Sequence, residues 1–481
     1  MTYKIYLLSI LQGFLSGVSQ YQFAVLNPME KLIKTFLGRS LKRYHCTSDW
    51  SVTVVWGVLN ASLTLSWVVG SLLTKPIADR LGRKFCCCIL QPALVIIGSV
   101  LMACSWWLNS FETFIFGHLL DGIAGALVSL HAVFMYECAT ADSRALCITI
   151  ILLGFPTWLS IGSVVGMPQA LGTQQLWPVV FSLPLLASVP YLLCGLFYFH
   201  DSPQFLYLKG SDMARAKAAL RFYQGVDVSF EQFEQQMEGE VRLQQSVSQD
   251  SFRQLMQRRQ FRWPVIIAFV VGISTDAGGG ASTTTQYATE ILRQGMGESS
   301  QTAASYSAVA ILAACLLGCC ASVLVTSIQI SRRWHMLGGM LLGDIGLMVV
   351  LVCWLFYSTE GAAVGATVGV FLTVGVYNGC LMTVGACIVT EISPLRVRAL
   401  AFVVRVASHG GWGCVQGMAF PILRKAVGAW ALPICCLTDP FCWLFLFACL
   451  PETRGKSVTE VIKRWTPGPE DNSDDEMQPL L

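Results

Sequence analysis

The chain has 481 residues, 54% of them hydrophobic and 13% charged, with a formal net charge of +3 and a mean hydropathy of +0.58. Soluble domains carry about 25% charged residues, so this composition excludes a soluble globular protein and points to an all-α, polytopic membrane protein. The small net charge gives no sign of a nucleic-acid partner, and the sequence offers no nucleophile motif, metal cluster or nucleotide loop that would support an enzyme or imply a cofactor.

A membrane-crossing helix needs about 20 apolar residues. Twelve such runs are read near 5–27, 52–74, 86–107, 113–135, 146–168, 177–199, 264–288, 304–326, 335–356, 363–389, 400–424 and 430–450. The first is too long for a cleavable signal peptide and reads as a span. After it, residues 30–50 hold Lys31, Lys34, Arg39, Lys42 and Arg43. The connection after the second span is a knot of charge: Lys75, Asp79, Arg80, Arg83 and Lys84 around Gly82. Cytoplasmic loops carry the excess of Lys and Arg, which places this knot in the cytoplasm. Arg144, Arg332, Arg333, Arg396 and Arg398 fall on the same side; the basic 30–50 loop is the exception. The even number of spans then puts both termini in the cytoplasm. Asn60-Ala61-Ser62 matches a glycosylation acceptor but falls inside the second span. Most of the 19 cysteines lie in apolar runs and read as small hydrophobes. Cys86, Cys87 and Cys88 follow the knot; palmitoylation is one reading, and ordinary span-end residues the favoured one.

Composition changes over 200–262, which is polar and reads as a cytoplasmic linker of amphipathic helices, 213–220, 230–245 and 252–259. It separates a six-helix bundle, 1–199, from a second, 263–450. The tail, 451–481, is acidic, poor in aromatics and expected to be disordered and cytoplasmic. Glu476 with Leu480-Leu481 resembles an acidic dileucine signal for a sorting adaptor, with a plain solvated tail as the alternative. The expected location is the plasma membrane, or an endosomal or lysosomal one.

Glu137 and Arg144 flank the end of the fourth span, seven positions apart, and Glu391 and Arg398 flank the end of the tenth with the same spacing. This internal repeat of half a molecule is the mark of two six-span bundles related by an axis along the membrane normal, the major facilitator architecture. Carboxylates and arginines on the cytoplasmic rim can then form salt bridges between bundles that hold one rocking state closed. Independent snorkelling charges are the plainer reading, and the matched spacing weakens it.

On these residues the chain resembles the sugar-porter branch of the major facilitator superfamily, and animal facilitative glucose transporters in particular. The 70–84 stretch resembles the family's first-half loop signature, and Leu176-Trp177-Pro178 the start of its sixth span. Asp201-Ser202-Pro203-Gln204-Phe205-Leu206 resembles the signature after span six, and Pro451-Glu452-Thr453-Arg454-Gly455-Lys456 the one after span twelve. The resemblance implies alternating access and gating ion pairs at Asp79, Arg80, Arg83, Glu137, Arg144, Arg332, Arg333, Glu391, Arg398 and Glu452. Sugar-contacting positions depart from the family. Its span-seven glutamines fall on Thr275 and Asp276, the following asparagine on Ala281, the span-five glutamine near Leu152, and the span-eleven Asn-Trp on His409-Gly410. Its span-ten proline and tryptophan are missing from 381–386, while Asn378 falls near a sugar-contacting position. Proton-coupled sugar porters carry an aspartate where Gln22 falls, so the resemblance implies facilitated diffusion, with Asp276 and His409 still able to titrate.

The expected path is therefore lined by Gln22, Thr275, Asp276, Ser282, Asn378, Arg405 and His409. A carboxylate inside a span costs at least about 2.5 kcal/mol unless paired or hydrated, so Asp276 marks a pathway. Arg405 and His409, four apart, share one face of span eleven; Arg405 is expected to pair with Asp276, bind an anionic substrate or snorkel to the surface. Three functions follow. The first is facilitated diffusion of a small polar solute, a hexose or related sugar. The second is transport of a small organic anion or other charged solute through Arg405, His409 and Asp276. The third is a transport-dead nutrient receptor or sensor.

Overall fold

In the computed structural model, the described residues are 3–45, 48–208, 213–225, 229–235, 237–238, 256–296, 302–327, 331–356, 360–454, 456 and 458–465. Among them, seven helical stretches are long and apolar enough to cross a membrane as they stand, including Asp49–Leu81, Phe111–Cys138 and Arg332–Leu355. Several crossings are broken helices. Span one runs as Tyr3–Ser16 and Val18–Leu26, and span five as Ala141–Leu152 and Gly154–Val165. They meet at Gly17 and Gly154: a Cβ on Gly17 would stand 2.1 Å from the Gly154 carbonyl oxygen, so the backbones touch directly.

Span seven runs as Arg259–Ala277, a tight turn at Gly278–Gly280, then Ala281–Met296. Gly280 takes a φ of +60°, open to glycine at little cost. Span ten, Glu360–Val376 and Met382–Ile392, is interrupted by a wider π turn at Tyr377–Leu381. Such turns swing side chains out of the regular helical register. Spans eight, nine and eleven are Thr302–Ser327, Arg332–Phe356 and Leu395–Val427; span twelve breaks between Ala431–Cys435 and Asp439–Cys449.

The first six spans and the last six form the two bundles, and the halves meet chiefly where span two lies along span eleven and span five along span eight. Small residues allow the close approach: a Cβ on Gly57 would stand 3.0 Å from the Met418 oxygen, and one on Gly410 3.1 Å from that of Thr64.

At the charge knot the chain bends at Gly82, with φ +95°. A side chain there would collide with Asp201, whose Oδ1 accepts the backbone N–H groups of Arg83 (3.1 Å) and Lys84 (3.0 Å). Asp201 thus caps the orphan amides at the start of span three. The three cysteines that follow, Cys86, Cys87 and Cys88, are fully buried among the helices, the first-half packing residues rather than a lipidation surface. Helix Met213–Gln224 lies under the same rim: the Tyr223 hydroxyl donates to the His200 carbonyl (2.6 Å), and the Gln224 amide to that of Cys138 (3.2 Å). Phe230 and Phe233 pack beside Tyr207; most of the other expected linker helices, and the tail with Glu476, Leu480 and Leu481, lie outside the described residues.

Candidate functional site: a cavity between the two halves

Gln20 and Phe23 from span one, Leu63, Thr64 and Trp67 from span two, and Leu159 from span five line one side of a cavity between the halves. Asp276 and Thr285 from span seven, Tyr377 from span ten and His409 from span eleven line the other. The interruptions in spans seven and ten fall beside these residues, which explains how two helices bring Asp276, Thr285 and Tyr377 to one space. The space left between these side chains is about 20 Å³, room for about one water.

At its centre, Asp276 Oδ2 lies 3.2 Å from His409 Nδ1, with both side chains buried. The imidazole sits between two rings, Trp67 of the first half (centroids 6.2 Å apart, 38° between planes) and Tyr377 of the second (6.3 Å, 18°). The Trp67 indole N–H, buried, has no hydrogen-bond partner among the described residues. One helical turn from His409, the Arg405 guanidinium donates from Nη2 to the Met382 carbonyl (3.1 Å) and packs over Gly385, where a Cβ would stand 3.2 Å from Nη2. Arg405 is thus buried, away from the surface and held by backbone of span ten; the short contact of Asp276 is with His409 instead.

Other expected site residues lie elsewhere. The Thr275 hydroxyl donates back to the Val271 carbonyl (2.7 Å), and the Asn378 amide to Val374 (2.9 Å), so both satisfy their own helices. Gln22 is fully buried off the cavity wall, while Gln20 lines it. At about 100° per residue, positions two apart point to nearly opposite sides of a helix, so only one of them can face the cavity. The side chain of Ser282 lies outside the described ones. Gln20, Phe23, Thr64, Trp67, Thr285 and Tyr377 were not among the expected lining residues; the i, i+3 pairs Gln20–Phe23 and Thr64–Trp67 are the signal that marks two of these faces.

On the rim that carries Arg83, the ion pairs among the described residues lie within a half. Arg83 Nε donates to Glu137 Oε1 (3.1 Å), with Asp79 at 3.5 Å from Arg83 and 2.9 Å from Lys75. Arg80 is exposed beside them. Arg332 faces Glu391 (3.6 Å), and its backbone N–H donates to Glu452 (3.1 Å), which also accepts from Ser331. Burial would raise the Glu452 carboxyl, but these donors outweigh it and hold it below the ordinary glutamate value. Arg333 donates to the Phe447 carbonyl and Arg398 to that of Ser393 (3.2 Å); the side chain of Arg144 lies outside the described ones. The bonds seen at Arg83, Glu137, Arg332, Arg333, Glu391, Arg398 and Glu452 each brace one half rather than bridge the two.

The sugar (and other) transporter family profile matches residues 7–465. The chain is 26% identical over 455 residues to the facilitated glucose transporter member 5 of Equus caballus, covering 92% of this chain and 87% of that one. It is 25% identical over 452 residues to member 7 of Homo sapiens, covering 92% and 86%. Among solved structures, the inward-open xylose transporter XylE of E. coli superposes with a TM-score of 0.75 at 18% identity, covering 96% of this chain and 99% of that one. XylE bound to 6-bromo-6-deoxy-D-glucose gives 0.72. With its two six-helix bundles, its signature loops and its altered cavity residues, the chain belongs to the sugar transporter family, as a major-facilitator sugar porter divergent from the facilitated glucose transporters.

Proposed function

We propose that this protein carries a neutral hexose or closely related sugar across the membrane by alternating access, as facilitated diffusion. The observation that carries the reading is the cavity itself, split between the halves and furnished for a polyol. Asp276 can accept from two neighbouring hydroxyls, with Gln20, Thr64 and Thr285 adding neutral donors and acceptors. The faces of Trp67 and Tyr377 suit the C–H surface of a pyranose ring. Relatives named as glucose transporters support the class of solute. An organic anion fits less well, because the carboxylate lines the cavity while Arg405 is bonded to span-ten backbone.

The charge excess around Arg83 supports a cytoplasmic position for that rim, with both termini on the same side and the Glu30 end facing outward. The plasma membrane is the proposed location. Two approaches test the function: counterflow of labelled hexoses, pentoses, polyols and carboxylates in proteoliposomes, and the same assay on Asp276→Asn and Trp67→Ala. Exchange of a neutral sugar that both variants reduce at least tenfold is the expected result. Exchange confined to carboxylates, or sugar exchange indifferent to both substitutions, refutes it.

A further inference from the structure

The basic stretch at 30–50, which broke the charge rule in the sequence, is an ordered helix, Glu30–Leu41, followed by a short turn, Lys42–Tyr44. Ile33, Phe36 and Leu37 bury its apolar face in the first-half core. Another face meets the first turns of span two. A Cβ on Gly38 would stand 3.6 Å from Val52 Cγ2, so the two elements approach there, with an open groove alongside. The groove holds about 680 Å³, within the range of about 300–1,000 Å³ usual for small-ligand sites.

Its walls carry opposite charge. Arg39 and Lys42 stand on the helix side and Asp49 on the side of span two, all three exposed. Lys34, also in the groove, is engaged elsewhere: it lies 2.6 Å from Glu30, which also accepts from Arg293 (2.7 Å), and 3.6 Å from Glu290. The other three keep free capacity. Arg39 lies over the Trp106 ring, 3.8 Å from its centroid, and donates only Nε, to Asn109 (3.1 Å). Its two terminal nitrogens, Lys42 and the Asp49 carboxylate have no partner among the described residues. The Thr35 and Thr53 hydroxyls on the two walls donate back to their own helices, at 2.8 Å each, so recognition here falls to charge.

Exposed aromatic rings mark the height of the groove. Tyr44, Trp50 at the start of span two, Trp107 at the end of span three and Trp430 before span twelve are each about half exposed or more. Trp and Tyr collect at the headgroup level of a bilayer, which puts Arg39, Lys42 and Asp49 among lipid phosphates and amines. Anionic lipids concentrate in the cytoplasmic leaflet, so an outward-facing groove meets zwitterionic headgroups.

We infer that this groove binds one zwitterionic phospholipid headgroup, with the phosphate between Arg39 and Lys42 and the amine against Asp49. Arg39 and Lys42, three apart, are neighbours at the helix end, and a guanidinium fork matches two phosphate oxygens. Asp49 attracts the amine and repels a headgroup that has only negative charge. The excess of cations at this rim is then a lipid contact rather than a topology signal. The outward position of the rim rests on the charge reading above; headgroup binding is measured without solute or transport, so the two can fail separately.

Native mass spectrometry of the full-length protein in detergent tests it, with titrations of dioleoylphosphatidylcholine, dioleoylphosphatidylglycerol and free phosphocholine. The native chain should bind one phosphatidylcholine at least tenfold more tightly than phosphatidylglycerol. The double variant Arg39→Gln/Lys42→Gln should weaken that binding at least tenfold, and Lys456→Gln at the other rim should leave it unchanged. Asp49→Asn should reverse the preference, weakening phosphatidylcholine and strengthening phosphatidylglycerol, a gain that a misfolded chain would not show. Native phosphatidylcholine binding in the double variant, or an unaltered preference in Asp49→Asn, overturns the inference. Free phosphocholine bound as tightly as the lipid also overturns it, since the groove would then take a soluble ligand.

Discussion

Gly272 lies where spans seven and eleven cross, one turn before Asp276 and beside Arg405, itself one turn before His409. A Cβ there would stand 1.9 Å from Ser408 Oγ and 2.4 Å from the Arg405 carbonyl oxygen. The hydroxyl can rotate away, but the carbonyl is backbone and cannot. Bringing it to ordinary contact parts the two spans by about 1 Å, an overpacking that costs about 1–3 kcal/mol. The 3.2 Å contact between Asp276 and His409 then lengthens to about 4 Å, the edge of ion-pair range. The overpacking alone suffices for about a tenfold effect, since about 1.4 kcal/mol is tenfold in rate. Gly272→Ala is therefore expected to slow sugar counterflow by about tenfold or more and to lower the melting temperature in detergent. Gly338→Ala, with nothing within 4 Å of its Cβ, is the matched control. If the two variants melt and transport alike, the close crossing does not position the pair, and the reasoning fails.

Other expectations follow from the same geometry. Arg83→Ala removes the partner of a nearly buried Glu137 and is expected to destabilise the first half by about 3 kcal/mol or more; thermal melts of Arg83→Ala against the double variant Arg83→Ala/Glu137→Gln, which should recover most of the loss, check it. Asp201→Ala strips the cap from the Arg83 and Lys84 amides and should raise exchange in peptides starting at Gly82, whereas Asp201→Asn should keep much of the native rate. Burial alone would raise the Glu30 carboxyl, but Lys34, Arg293 and Arg424 outweigh it and hold it below the ordinary value of 4.5. A lowered carboxylate stabilises the fold above its unfolded value and loses that contribution as pH falls through its folded value. Exchange protection at 24–34 should accordingly be flat from pH 7.5 to about pH 5 and fall only in stronger acid; a loss near pH 6 would contradict the assignment.

The spans were legible because membrane crossing is a matter of length and apolarity, and both are written locally. Asp276 was legible for a related reason: a carboxylate in a span needs a partner or water. Which partner was not, since Arg405 and His409 share a face, and the Met382 carbonyl just past the π turn, which Arg405 holds, is a backbone atom. Gln20 and Gln22 differ by two positions, and choosing between them needs the rotation of span one about its axis. The rim charges were visible as charges, but the sequence does not say whether an arginine bonds within its half or across. Asn27 carried no signal of its kind at all, because its two partners are backbone atoms of another helix, 258 and 262 positions away.

At the Arg83 rim, two carboxylates find their partners at home: Glu137 with Arg83, Glu391 with Arg332. During synthesis the leading half therefore reaches the trailing one with its ionic needs on that surface already met. Severed at the junction and expressed as two polypeptides, the fragments should find each other in the bilayer, steered at the far end by Asn27 and Glu30, the points where one half still lacks what the other brings.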